Sequence, residues 1–179
     1  MFRFGKLNKP FIGFIISCLS FYIFWYFIYE LWIHKKRWLD NFVIDQLKGI
    51  AETILKSLNY ELIDYSSFDP SIRTVGIDGS HGVWIGDPCN GIALFAIFTG
   101  FIIASPGKLV NKFLFIPLGI FMIHIINGLR VTALALLSYY YPETLEFNHN
   151  YTFTIIVYSF VFYLWYVWVK GLNNRKLFK

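Results

Sequence analysis

Apolar blocks long enough to cross a bilayer, broken by almost no charge, constrain this chain more than any motif does. A hydrocarbon core about 30 Å thick takes roughly 20 residues of helix. Three blocks reach that scale: about Phe11 to Ile33, about Phe113 to Tyr139, and about Tyr151 to Val169. A fourth, about Cys89 to Ser105, sits near the short limit of about 17 residues, and reads either as a span or as a re-entrant segment. The composition agrees: of 179 residues, 56% are hydrophobic, 21% aromatic and only 15% charged, too apolar for an ordinary soluble domain. The expectation is a single all-α polytopic membrane domain over residues 1–179, with about four transmembrane helices and membrane lipid as its surroundings.

The charges then orient the spans. The net charge of +5 does not point to nucleic acid, because most basic residues flank apolar runs. Short basic segments stay in the cytoplasm. The N-terminal tail carries Arg3, Lys6 and Lys9; the linker between the second and third blocks carries Lys108 and Lys112; the C-terminal tail carries Lys170, Arg175, Lys176 and Lys179; none of the three holds an acid. The short Tyr140–Asn150 connection carries Glu143 and Glu146 and no base. One topology satisfies all four: a multi-pass protein of the cytoplasmic (inner) membrane, both termini inside, with the Tyr140–Asn150 connection and a loop over about 34–88 outside. The N-terminal run resembles a signal peptide only superficially, since it is long and aromatic and no small-residue cleavage site follows it.

The loop over 34–88 divides in two. From Trp38 to Leu58, apolar residues at Leu39, Phe42, Val43, Leu47, Ile50, Ile54 and Leu58 keep a helical spacing, which predicts an amphipathic helix on the membrane surface or over the core. From Tyr60 to Ile85 the pattern shortens and turns. Tyr60–Tyr65, Ile72–Ile77 and Gly82–Ile85 read as short strands, with turn chemistry at Asp69-Pro70 and Asp78-Gly79, so a small β-element precedes Cys89.

Cys89 lies in the run Asp87-Pro88-Cys89-Asn90-Gly91. Asp87 suits a helix cap and Pro88 a first turn, which predicts Cys89 among the unpartnered amides at the positive end of a helix. Such a place favours a thiolate. Arg130 falls 17 residues into the third block, about 25 Å along a helix, and so near the outer boundary. His149 stands just before the fourth block, at the same boundary. Three membrane segments thus deliver a thiol, a guanidinium and an imidazole to one face. An ordinary thiol, with a pKa near about 8.5, is mostly protonated at neutral pH and needs activation. The guanidinium favours the thiolate and can stabilise an oxyanion, and the imidazole can take the thiol proton and return it to a leaving amine. Asp87 would oppose the thiolate unless it is spent on capping.

Each residue also has a plainer reading. A lone cysteine at a helix start is usually a small buried side chain. An arginine near a membrane boundary often snorkels to headgroups, although ionisable residues within apolar segments are functional suspects. His149, within Asn148-His149-Asn150, could simply be an interfacial loop residue. Asn127, one turn before Arg130, could orient it by a hydrogen bond or serve helix packing. His124 lies deeper in the same block and reads as a satisfied buried histidine. His81 reads as solvated, with a reserve role as general base. Glu30 is expected to pair with Lys35 or Arg37. Cys18 reads as lipid-facing or packed, and a bridge to Cys89 is not expected. Two cysteines make neither a disulfide framework nor a zinc site, and the chemistry above needs no cofactor.

The Cys89-Asn90-Gly91 start of a membrane segment, the Pro106-Gly107-Lys108 linker, the Asn127-x-x-Arg130 pair and an outer-face histidine together resemble the exosortase/archaeosortase family, in particular its small exosortase F members. The likeness spans roughly Trp84 to Tyr158. It implies a membrane cysteine protease or transpeptidase that acts on exported proteins with a C-terminal tail of short motif, apolar helix and basic cluster. It implies Cys89 as nucleophile, Arg130 as the stabilising arginine and His149 as acid/base, with Asn90 and Asn127 in support. This chain has fewer spans than the larger members, so the resemblance leaves open a small partner subunit that completes the substrate groove. From another class, a non-catalytic membrane assembly or scaffold protein fits the composition equally well.

Overall fold

The computed structural model describes residues 9–64 and 73–173, so the basic residues Arg3, Lys6, Arg175, Lys176 and Lys179, the Asp69-Pro70 turn, and the strand ends at Tyr65 and Ile72 lie outside the described residues. Helix α1 (Lys9–Ile28) continues through a π turn (Tyr29–Ile33) and a last helical turn (His34–Lys36). Arg37 then breaks the helix in the left-handed region at φ 52°, and α2 (Trp38–Ser57) folds back. Strands β1 (Thr74–Val75) and β2 (Val83–Trp84) pair antiparallel, and Leu62 bridges to Ile77, so the expected β-element is present but minimal. A 3₁₀ turn (Asp87–Cys89) leads into α3 (Ile92–Ala104), then α4 (Leu109–Tyr140). Short helical turns over 142–152 run into α5 (Phe153–Asn173).

Among the described residues, three helical runs are long and apolar enough to cross a membrane: Phe11–Lys36, Leu109–Tyr140 and Pro142–Gly171. They leave large apolar side chains exposed, among them Phe24, Trp32, Phe113, Phe121, Ile155 and Phe162, as lipid-facing surfaces require. The second block behaves differently from the other three. Its helix, α3, has 13 residues, about 20 Å of rise, and six of them are buried against neighbouring helices. It is packed inside the bundle rather than wrapped in lipid. A short helix ending inside a bundle leaves its last carbonyls to be satisfied. Lys112 supplies this from the first turn of α4, donating to Ile103 O at 2.7 Å and Ser105 O at 2.6 Å, while Trp168 Nε1 of α5 donates to Ser105 Oγ at 2.7 Å.

Two cores result. Within the bundle, Leu94, Phe98 and Ile102 of α3 meet Ile123 of α4 and Val157, Val161, Leu164 and Trp168 of α5. At the other end, α2 buries Val43, Ile44, Leu47, Ala51 and Leu55 against Val75, Ile77, Ile85, Ile92, Val131 and Ala135. The helix over Trp38–Ser57 is as expected, but its buried stripe is turned by about one residue. Val43 and Leu47 are core, whereas Phe42 and Leu58 are exposed, and Ile44, Ala51 and Leu55 take the inner face. The reason is that α2 carries apolar residues on two sides and packs on α4 where that helix offers least bulk. At Gly128 a Cβ would meet Ile50 Cγ2 at 2.7 Å, so only glycine admits α2 this closely. The α2 helix therefore packs over the protein core, one of the two placements its sequence allowed.

Candidate active site

The turn that holds Cys89 is set by three carboxylate and amide side chains. Asp87 accepts from Arg37 through both oxygens at 2.9 Å and from Arg73 at 3.0 Å. It does not cap a helix; its charge is matched by two guanidiniums instead of facing the thiol bare. The capping role falls to Asn90, whose Oδ1 accepts from the Ile92 amide at 2.9 Å. Its Nδ2 donates to Asp40 Oδ1 at 2.9 Å. Gly91 follows at φ 86°, where only glycine sits without strain.

Cys89 consequently lies one turn before α3, not in its first turn. Its own amide is already bonded to Gly86 O at 2.9 Å. Unpartnered helix amides are thus not what surrounds the sulfur. What does surround it comes from far along the chain. His149 Nε2 is 3.1 Å from Cys89 Sγ, and the Arg130 guanidinium approaches the same sulfur at 3.9 Å. The 3.1 Å contact suits either an S–H donating to imidazole or an imidazolium N–H donating to thiolate. The longer one acts through charge more than through a directed bond. The Arg130 Nε is buried with no hydrogen-bond partner among the described residues, which leaves donor capacity at the site.

His149 is presented by a π turn, Asn148–Thr152, within the helical run that leads into α5. The expected loop is therefore largely helical from Pro142 onward. A π turn widens the helix and displaces a side chain from the regular register, a form common at functional sites. Asn127 does not orient Arg130. It is fully buried and donates from Nδ2 to the Cys89 carbonyl at 2.9 Å, pinning the Cys89 turn to α4.

The other candidates separate from this centre. His81 is exposed in its turn. His124 is half-buried against Phe95, but its Nδ1 has no hydrogen-bond partner among the described residues, so it is not the satisfied histidine expected. Glu30 is exposed, and Arg37 goes to Asp87 instead. Both cysteines are free.

Sequence reasoning passed over Asp40. It is fully buried, accepts from Asn90 and from the Tyr29 hydroxyl, and lies 3.4 Å from His34 Nδ1. The signal was present: Asp40 falls on the inner stripe of α2, in step with Ile44, Leu47 and Ala51. An acid on a buried helical face needs partners.

A cleft touches this centre at His149, and a second cavity lies among the helices. A cleft of about 330 Å³ runs between Gly82–Trp84 and the segment carrying Pro142, Leu145, Glu146 and His149. An apolar cavity of about 660 Å³ lies between α1, α2, α3 and α4, bounded by Trp25, Phe42, Ile92, Phe95 and Pro117 among others, with His124 on its wall. No protein-family model, curated protein or solved structure matches the chain.

Proposed function

We propose that this protein is a membrane-embedded cysteine peptidase or transpeptidase, similar to the exosortases, that removes C-terminal sorting tails from exported proteins. One observation carries the reading. Residues 60 and 41 positions apart from Cys89 bring an imidazole to 3.1 Å and a guanidinium to 3.9 Å from its sulfur. A scaffold has no use for that convergence, whereas nucleophilic catalysis requires it.

Basic flanks orient the chain with both termini in the cytoplasm of a multi-pass inner-membrane protein. The short α3 counts as a fourth membrane segment that starts at the outer face. Cys89, Arg130 and His149 then meet at the extracytoplasmic surface. The substrate's apolar tail lies in the 660 Å³ cavity, which reaches Ile92, three residues beyond the nucleophile. That cavity is bounded by α1 to α4; a small partner subunit could close its open side.

His149 takes the Cys89 proton, and the thiolate attacks the scissile carbonyl. Arg130 offsets the oxyanion of the tetrahedral intermediate. Collapse breaks the C–N bond as the imidazolium protonates the leaving amine, so the tail departs with a neutral amine and the exported protein remains as a thioester on Cys89. An amine acceptor or water then attacks the thioester, gives its proton to His149, and restores the thiol. The test uses an exported reporter bearing a motif, apolar helix and basic cluster. Cys89→Ala and Cys89→Ser are expected to insert normally and to leave the tail uncut, a loss of about a thousandfold or more. Processing by either variant at the wild-type rate would refute the nucleophile. Mass spectrometry of the new C-terminus separates transfer from hydrolysis.

A further inference from the structure

The cleft beside His149 has a strand edge as one wall, and that edge is open at Trp84. In the β1–β2 ladder Thr74 faces Trp84 and Val75 faces Val83, and the Ile85 amide donates to Arg73 O at 2.7 Å. Hydrogen-bonded and non-bonded pairs alternate in an antiparallel ladder, so the bonded pairs are Arg73 with Ile85 and Val75 with Val83. The N–H and C=O of Trp84 therefore point away from β1. Gly82, two residues earlier, presents its carbonyl on the same outer side, where Ser138 Oγ of α4 donates to it at 3.3 Å. The outer edge of β2 thus faces α4 and the 142–149 segment across the 330 Å³ cleft, and at Trp84 it makes no hydrogen bond among the described residues.

We propose that this edge is the docking site for the substrate segment on the N-terminal side of the scissile bond, which adds to β2 as an extended strand. The proposal rests on the cysteine-peptidase reading above and deepens it. Strand addition draws its affinity from backbone bonds and its selectivity from pockets for alternate side chains. Both are here. From Trp84 the chain continues through Ile85 and an extended Gly86 into the turn that carries Cys89, so a strand laid along the edge is led toward the sulfur. The indole of Trp84 folds over Gly86, where a Cβ would meet its ring at 2.5 Å, and is 65% exposed, an apolar cover for an incoming peptide. The same cleft ends on His149, which touches Cys89 Sγ. Since the tail that leaves lies in the membrane, the acyl side must arrive from outside, where β2 lies in the topology given above. The cleft walls are Val83, Leu134, Pro142 and Leu145, with Glu146 as the carboxylate. It accepts an apolar or basic side chain and repels an acidic one, which makes Glu146 a specificity-determining residue.

The probes are chloromethyl ketones, which alkylate a thiolate with loss of chloride: the tetrapeptides Ala-Ala-Val-Ala, Ala-Ala-Lys-Ala and Ala-Ala-Asp-Ala, and acetyl-alanine as a single-residue control. Iodoacetamide reports Cys89 reactivity without docking. Rates are read by mass spectrometry on the detergent-solubilised full chain. The valine and lysine tetrapeptides are expected to react about tenfold faster than the control, relative to iodoacetamide, and the aspartate peptide no faster than the control. Trp84→Pro removes the outward amide at an edge position that tolerates proline, and should erase the tetrapeptide advantage. Trp84→Ala keeps the amide but loses the indole cover, and should keep more of the tetrapeptide advantage than Trp84→Pro does. N-methylating the tetrapeptide backbone should erase the advantage in the wild-type protein, where folding is not at issue. Glu146→Gln should restore the aspartate peptide. The proposal is overturned if Cys89 reacts normally with iodoacetamide while tetrapeptides gain nothing, or if neither Trp84→Pro nor N-methylation matters. Those outcomes leave the cysteine-peptidase reading intact. A Cys89 inert to every reagent overturns both.

Discussion

Gly91 and Asn127 decide where the Cys89 sulfur points. Asn127 holds the Cys89 carbonyl at 2.9 Å, and a Cβ on Gly91 would sit 3.0 Å from the Asn127 amide nitrogen while forcing an L side chain to φ 86°. Gly91→Ala should therefore cost about 1–2 kcal/mol of stability and slow alkylation of Cys89 by iodoacetamide. Denaturation in detergent checks the first and labelling rates the second; an unchanged labelling rate would mean that the turn does not set the thiol. Asp40 is the second lever. Asp40→Ala leaves the Asn90 amide and the Tyr29 hydroxyl without their buried acceptor, a loss of about 1–3 kcal/mol, and Asp40→Asn, which keeps an acceptor, should cost less. Equal melting temperatures for the two variants would show that the acceptor is not what matters. Arg130 distinguishes catalysis from assembly. Arg130→Lys keeps the charge but not the planar fork, so it should retain more tail cleavage than Arg130→Ala at equal expression; a purely structural arginine would shift expression and leave the activity per molecule unchanged.

Among the elements, α2 shows how far periodicity reaches. Its helical spacing was readable, and so was its choice between membrane surface and core cover as alternatives. Its exact inner face was not, because Phe42, which is exposed, is as apolar as Ile44 and Leu55, which are buried. The choice among them depends on what packs opposite, and Gly128 of α4 marks that place. Gly128→Leu should push α2 off α4 and cost about 1–3 kcal/mol or more, seen as a lowered melting temperature with the helical signal largely kept. A melting temperature equal to wild type would mean that α2 docks elsewhere. The 3₁₀ turn at Cys89 was misread for a similar reason. Asp87 has the right chemistry for a cap, but Arg37 and Arg73 compete for it from 50 and 14 residues away, and nothing local to Asp87 reveals them.

At the scale of the whole molecule, the convergence of Cys89, Arg130 and His149 was legible because membrane crossing is arithmetic. Antiparallel helices of known rise must return to the same face, so residues at matching depths become neighbours. The supporting network around Asp40 was not, since it needs α1 to break at Arg37 and α2 to fold back over the Cys89 turn. Orientation itself is testable. In intact spheroplasts an impermeant maleimide should label Cys89 from outside, and labelling only after lysis would reverse the proposed topology. The most direct measurement is to trap the intermediate. Quenched in acid while it turns over a tailed reporter without added amine acceptor, the solubilised protein should yield a hydroxylamine-sensitive thioester located on Cys89 by mass spectrometry, absent from Cys89→Ala and scarce in His149→Ala, which lacks the base that forms it. A tail released at an undiminished rate by His149→Ala, or an acyl group found on any other residue, would contradict it.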